Sequence, residues 1–223
     1  MHKSILKNLW QVGGDRLTAS SDAAIYLIRC GEQAALVDAG CGGAHEDLVA
    51  NINGCLQDTG NMTHLLLTHC HFDHTGGADA IRQTFGCKIV AHANDALYLE
   101  AGDSEVTAAS WYGSRLPPLV VDIKLQEKKT RIEIGNRTIT AHHTPGHSPG
   151  SLVYVTTLED KVVLFGQDVH GPIHPALLSD PSLYQDSLKR LLALDADLLL
   201  EGHFGIIEGK GAVRQFIKSF MDR

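Results

Sequence analysis

No stretch of 18 consecutive apolar residues occurs in this chain of 223 residues, which excludes a membrane-spanning helix of ordinary length. No basic run occurs either, and the net charge is −7. A general affinity for nucleic acid, which needs a basic face, is therefore not expected. The first residues, Met1-His2-Lys3-Ser4-Ile5-Leu6, lack the apolar stretch and cleavage site of a signal peptide. Cysteine is sparse and unpaired in pattern: Cys30, Cys41, Cys55, Cys70 and Cys87 are odd in number and include no Cys-x-x-Cys. Reduced, mostly buried thiols and a cytoplasmic location are expected. The length is enough to bury a full core and fits one domain over residues 1–223. Nothing in the chain reads on oligomeric state.

Histidine, by contrast, is plentiful at thirteen. Four potential metal ligands, His69, His71, Asp73 and His74, fall within residues 69–74. Neutral imidazole and carboxylate are the usual ligands of zinc and related divalent ions. A single histidine is more often a surface or core residue than a ligand. Three imidazoles and a carboxylate this close are costly to hold together unless something draws them in. The run Thr63 to Thr68 before them reads as a buried parallel strand, and Ala78 to Phe85 after them as a helix. The cluster then lies at the C-terminal end of a strand, where open α/β sheets place their sites. Alternation in an extended loop puts His69, His71 and Asp73 on one side, with Cys70 and Phe72 facing the body of the protein. His74 then needs a bend or a second metal.

Three further candidates stand just past predicted strands. His147 lies in the Pro- and Gly-rich turn His143-Thr144-Pro145-Gly146-His147-Ser148-Pro149-Gly150, Asp168 follows Val162 to Phe165, and His203 follows Leu198 to Leu200. That shared placement brings them to the same sheet edge as the first cluster. Seven ligands are too many for one tetrahedral ion and suit two. His69, His71 and His147 would hold one metal and Asp73, His74 and His203 the other, with Asp168 bridging. Two ions roughly 3.5–4 Å apart can share a hydroxide and clamp a developing oxyanion. Zinc lowers the pKa of bound water to about 7, so no side-chain nucleophile is needed. Zinc is the expected ion; iron and manganese accept the same ligands.

In these seven positions the chain resembles the metallo-β-lactamase superfamily, whose signature is His-x-His-x-Asp-His followed by a distant His, Asp and His. Leu36-Val37-Asp38-Ala39-Gly40 is similar to the family's early strand ending in an aspartate beneath the metal site. Taken alone, Asp38 reads as readily as a turn residue or an N-cap for the helix that follows as it does as part of the site. The resemblance implies that it orients a ligand imidazole. It spans nearly the whole chain and implies an α/β (α+β) fold, the four-layer αββα sandwich of the family, with halves at about 1–120 and 121–223.

The resemblance also narrows the chemistry. Family members that destroy β-lactams typically carry cysteine or serine where this chain has Asp168. Flavodiiron-type relatives carry glutamate where it has His71. Nuclease relatives add a clamping domain. Thr144 to Ser151 is similar to glyoxalase II sequences, which implies hydrolysis of a small hydroxyacyl thioester or ester by a metal-bridging hydroxide. Asp73 and Asp168 are the carboxylates assigned to catalysis. The longer glyoxalase II enzymes carry a C-terminal helical domain whose basic residues hold glutathione. Here about twenty residues follow His203, and Lys210, Arg214 and Lys218 among them read as a solvated helix face. A lactonase acting on a cyclic ester, an iron-dependent persulfide dioxygenase and a non-enzymatic metal-binding protein are the other readings. His170 and His174 either contact substrate or belong to an ordinary loop. His92, His142 and His143 are not assigned to metal.

Strands are expected near 9–12, 23–30, 34–38, 64–68, 88–91, 123–125, 131–134, 137–142, 151–156, 161–165 and 197–200. Helices are expected over 45–57, 78–85, 94–100, 181–194 and 211–220, with Asp180 as an N-cap ahead of Pro181. Gly31-Glu32 and Gly135-Asn136 mark hairpins of outer strands. Residues 102–118 form a loop or a short helix, either a mere connection or part of the site mouth.

Overall fold

The computed structural model describes residues 1–14, 16–57, 60–166 and 168–221. Its first sheet follows chain order: β1 (Lys3–Leu6), β2 (Leu9–Gly13), β3 (Ile25–Cys30), β4 (Gln33–Val37), β5 (Asn61–Leu66), β6 (Lys88–His92) and β7 (Ile123–Leu125). The first four strands pair antiparallel and the last four parallel. The second sheet contains β8 (Lys129–Ile134), β9 (Arg137–His143), β10 (Leu152–Leu158), β11 (Lys161–Phe165), β12 (Leu198–Glu201) and β13 (Gly205–Glu208), with β11 and β12 parallel.

Side-chain alternation builds the layers. In β3, Ile25 and Leu27 face the outer core of the first sheet, while Tyr26 and Ile28 face the second sheet. In β11 and β12, Val163, Phe165, Leu198 and Leu200 face the first sheet, and Leu164 and Leu199 face away from it. Both faces are buried, which is why these strands read as continuous apolar runs. The outer face of the first sheet is covered by α1 (His45–Leu56), α3 (Ala78–Phe85) and α4 (Ala93–Ala101); the single turn α2 (Phe72–Thr75) precedes α3. The outer face of the second is covered by α5 (Pro181–Ala193) and α6 (Lys210–Lys218). The result is the four-layer αββα sandwich that the family resemblance implies. Truncating a core leucine such as Leu200 to alanine costs about 2–5 kcal/mol at sites of this kind.

Several local expectations hold and others need correction. Asp180 caps α5, its Oδ1 accepting from the amides of Ser182 and Leu183 at 2.8 and 2.9 Å. The β3–β4 hairpin lies inside its sheet rather than at an outer position, because β1 and β2 continue the sheet beyond it. β1 and β13 are additional strands; both are short and only partly buried, so their apolar pattern is weak. The loop after β5 is not extended throughout: Phe72 to Thr75 form a helical turn, and this turn supplies the bend that His74 needs. Among the described residues no helix is long and apolar enough to cross a membrane.

Candidate metal centre

Five connections converge on one edge of the sandwich: those after β4, β5, β9, β11 and β12. They carry Asp38, then His69 to His74, then His147, Asp168 and His203. Backbone bonds stitch them together. Ala39 N donates to His74 O at 2.8 Å, Ala24 N to Gly202 O at 2.8 Å, and Leu152 N to Thr68 O at 2.7 Å.

The seven predicted side chains meet in two groups whose donor atoms lie within 4.8 Å of one another. His69, His71, His147 and Asp168 form one group, and Asp73, His74 and His203 the other. Asp168 touches both: its Oδ2 is 3.5 Å from His147 Nε2 and 3.3 Å from His203 Nε2. Its Oδ1 is 3.1 Å from His74 Nε2. All but His203 are buried.

The imidazoles are held with one nitrogen outward and the other toward the cluster. His147 Nδ1 donates to the Pro172 carbonyl at 2.8 Å. His74 Nδ1 donates to Asp38 Oδ2 at 2.7 Å. The Thr68 hydroxyl donates to the same oxygen at 2.8 Å, so it accepts from His69 Nδ1 at 3.0 Å. All three contacts aim Nε2 at the cluster, and those of His69 and His147 leave it unprotonated. His69 Nε2 and His147 Nε2 then face each other at 3.2 Å, lone pair against lone pair. His71 Nε2 is buried without a hydrogen-bond partner among the described residues, and His74 Nε2 and Asp168 Oδ1 are buried facing each other at 3.1 Å. Converging lone pairs and orphaned buried atoms are what bound cations would satisfy, and the donors are of the imidazole–carboxylate type that zinc, iron or manganese accepts. The residues therefore fit a pair of divalent ions.

The electrostatics agree. Burial, reinforced by neighbouring imidazoles, pushes His69 well below the ordinary histidine value, and burial also lowers His71 and His147; all three are neutral and able to ligate. Burial opposes charge on His74 as well, yet Asp168, Asp73 and Asp38 outweigh it and hold its pKa well above the ordinary value. His203 is lifted to about 10 against its burial by hydrogen bonds to Asp168 and Asp73. Carboxylate charge at this edge thus demands a positive counterpart.

Glycine shapes the floor. A Cβ at Gly202 would lie 2.5 Å from Asp168 Oδ1 and 3.0 Å from His74 Cε1. At Gly146 (φ 135°) it would meet the Tyr184 backbone at 2.2 Å.

Three residues at the site escaped the sequence reading. Asp95, at the start of α4, is fully buried and ties two ligand loops together. It accepts from Cys70 N at 2.9 Å, Ser148 Oγ at 2.7 Å and Gly150 N at 2.6 Å, and burial raises its pKa to about 6. Glu201, also buried, accepts from His203 N at 2.7 Å and from His170 Nδ1 at 2.8 Å. Tyr112 packs on Phe72 and faces Asp73; burial and that carboxylate raise its hydroxyl pKa. Tyr112, Trp111, His170 and Leu177 help enclose a cavity of about 150 Å³ over His71, Asp73, Asp168 and His203. Residues 102–118 thus contribute to the mouth of the site, through the turn at Ala109–Tyr112. His174 does not line this cavity: it is exposed and meets Trp111 edge-on at 5.2 Å. His92 stacks on His143 at 3.7 Å, away from the cluster. Lys210 and Arg214 both pair with Asp195.

A family model for the metallo-beta-lactamase superfamily matches residues 21–203. A hydroxyacylglutathione hydrolase of Rhodospirillum rubrum is 29% identical over 188 residues, covering 83% of this chain and 63% of that protein. The chain thus spans less than two thirds of that relative's length. An acyl-coenzyme A thioesterase of Gallus gallus is 28% identical over 231 residues, covering 92% of this chain and 80% of that protein. Among solved structures, a subclass B3 metallo-beta-lactamase of Bradyrhizobium japonicum superposes with a TM-score of 0.78 at 24% identity, covering 98% of this chain and 90% of that one. The last comparison speaks to fold alone.

Proposed function

The chain belongs to the metallo-beta-lactamase superfamily, and on that premise we propose that it hydrolyses small thioesters or esters, hydroxyacyl thioesters first among them, with two divalent ions. The observation that carries the reading is Asp168, one carboxylate shared between two ligand groups. In this proposal His69, His71 and His147 hold one ion, Asp73, His74 and His203 the other, and Asp168 both. When bound, the pair supplies Lewis acidity toward a carbonyl oxygen and a water acidic enough to ionise near neutral pH.

The chain's own residues supply the rest. Asp38, Thr68 and the Pro172 carbonyl fix three imidazole orientations. The cavity of about 150 Å³ bounded by Tyr112, Trp111 and His170 has room for a small acyl group. His170 Nδ1–H is engaged by Glu201, so Nε2 is the nitrogen left to contact a substrate, accepting a hydrogen bond when the ring is neutral. Asp168, shared between the two groups, is the carboxylate placed to take a proton during turnover.

Likeness to the Rhodospirillum rubrum hydrolase and the Gallus gallus thioesterase supports thioester chemistry. The free cysteines support a cytoplasmic location. The test is metal analysis of protein purified without added metal, followed by a thioester, lactone and persulfide panel on the same sample. Thioester turnover is expected. A single iron with oxygen uptake on a persulfide would reassign the chain as a dioxygenase, and lactone turnover alone would make it a lactonase.

A further inference from the structure

Two more cavities flank the cluster, and they differ in character. One, of about 400 Å³, borders His203 and is lined by polar Lys3, Gln11, Ser20 and Asp22. The other, of about 290 Å³, is walled by Ile173, Pro181, Tyr184, Gln185 and Phe220, and its remaining wall is His170. His170 also lines the small cavity over the ligand cluster. His170 therefore borders both the cavity over the cluster and a second pocket whose walls are mostly apolar side chains.

The His170 ring is held in place. Glu201 holds His170 Nδ1 at 2.8 Å, and Phe204 packs against the ring at 5.0 Å. The far wall is fixed as well: Gln185 Nε2 donates to the Phe220 carbonyl at 3.2 Å, tying α5 to the turn after α6. The Tyr184 hydroxyl donates to the Val169 carbonyl at 2.5 Å, so its ring is the part left to line the pocket. Polar substrate atoms in such a pocket would lose their hydrogen bonds, whereas an aliphatic chain gains by burial.

Resting on the hydrolase reading above, we infer that this pocket receives the aliphatic tail of the acyl group, so that medium-chain acyl thioesters or esters are preferred over acetyl ones. The polar cavity beside His203 is then left for the leaving group, whose polar atoms find partners there.

The experiment uses metal-loaded protein and S-acyl N-acetylcysteamine thioesters with acetyl, butyryl, hexanoyl and octanoyl groups, beside acetyl thioesters of alkanethiols of matching lengths. Each buried methylene is worth about twofold to fourfold in kcat/KM. The octanoyl-to-acetyl ratio is expected to reach at least about tenfold, and to collapse in Ile173→Trp, which fills the pocket. Phe220→Ala, which widens it, is expected to move the optimum to longer chains. A flat acyl series, or a rise on the thiol side alone, overturns the inference. Binding of octanamide, measured by calorimetry, separates the two readings. If no thioester or ester is turned over, the hydrolase reading falls, yet octanamide is still expected to bind wild type and not Ile173→Trp. Equal binding to both, or to neither, overturns the pocket.

Discussion

Asp38 accepts a 2.7 Å hydrogen bond from His74 Nδ1 while its own backbone sits at φ 63°. A non-glycine residue in that region carries strain that the surroundings must over-determine. Here they do: Asp38 also accepts from the Thr68 amide and the Thr68 hydroxyl, both at 2.8 Å. The strained turn delivers a carboxylate to the imidazole that the second ligand group depends on.

Removing that support is expected to weaken metal binding without removing a ligand. Asp38→Ala should lower affinity about 10–100-fold. Asp38→Asn, which tolerates the left-handed backbone and keeps one acceptor, should lose less. Competition with a chelating dye measures both, and affinities equal to wild type would remove Asp38 from the account.

Gly202 makes a sharper demand. Its added Cβ would stand 2.5 Å from Asp168 Oδ1 and 3.0 Å from the buried His74 imidazole. Gly202→Ala is expected to displace Asp168 and lower metal content and turnover together, with no charge or ligand altered. Full metal content and wild-type turnover in this variant would show that Asp168 has freedom the packing does not allow.

His92 sets an acid limit to stability. Burial, with a smaller contribution from His143, depresses its pKa from 6.5 to about 4. The folded protein favours the neutral ring, so this stability is present above pH 6.5 and is lost as pH falls toward 4. His92 Nδ1 accepts from Asn94 N at 3.2 Å at the start of α4, a role asparagine can keep. Wild type is expected to lose stability relative to His92→Asn between about pH 6.5 and 4, read from urea unfolding. Parallel losses in the two proteins would contradict this.

How much was legible follows from physical range. The loop-borne histidines announced themselves through local pattern, apolar strands followed at once by chemistry-bearing residues, and the four-layer fold through the family resemblance that those residues carry. Asp95 did not, because an acid in the first turn of a helix is an ordinary sight, and only the tertiary fold sends it to Ser148 and Gly150. Glu201 looked like a strand end before the His203 motif; its bonds to His170 and Phe204 depend on loops folding back over it. Tyr112 sat in a segment of weak periodicity whose position over Asp73 no spacing encodes. The turn at Phe72–Thr75 was hidden because four residues are too few to show a helical period.

The central claim, that seven side chains bind two divalent ions, is tested most directly by metal stoichiometry. Protein stripped with chelator, reloaded and dialysed is measured by mass spectrometry beside Asp168→Ala and His203→Ala. The account expects about two ions per wild-type chain and a loss of at least one in each variant. A wild-type chain that retains no ion, or variants that retain as many as wild type, would contradict it.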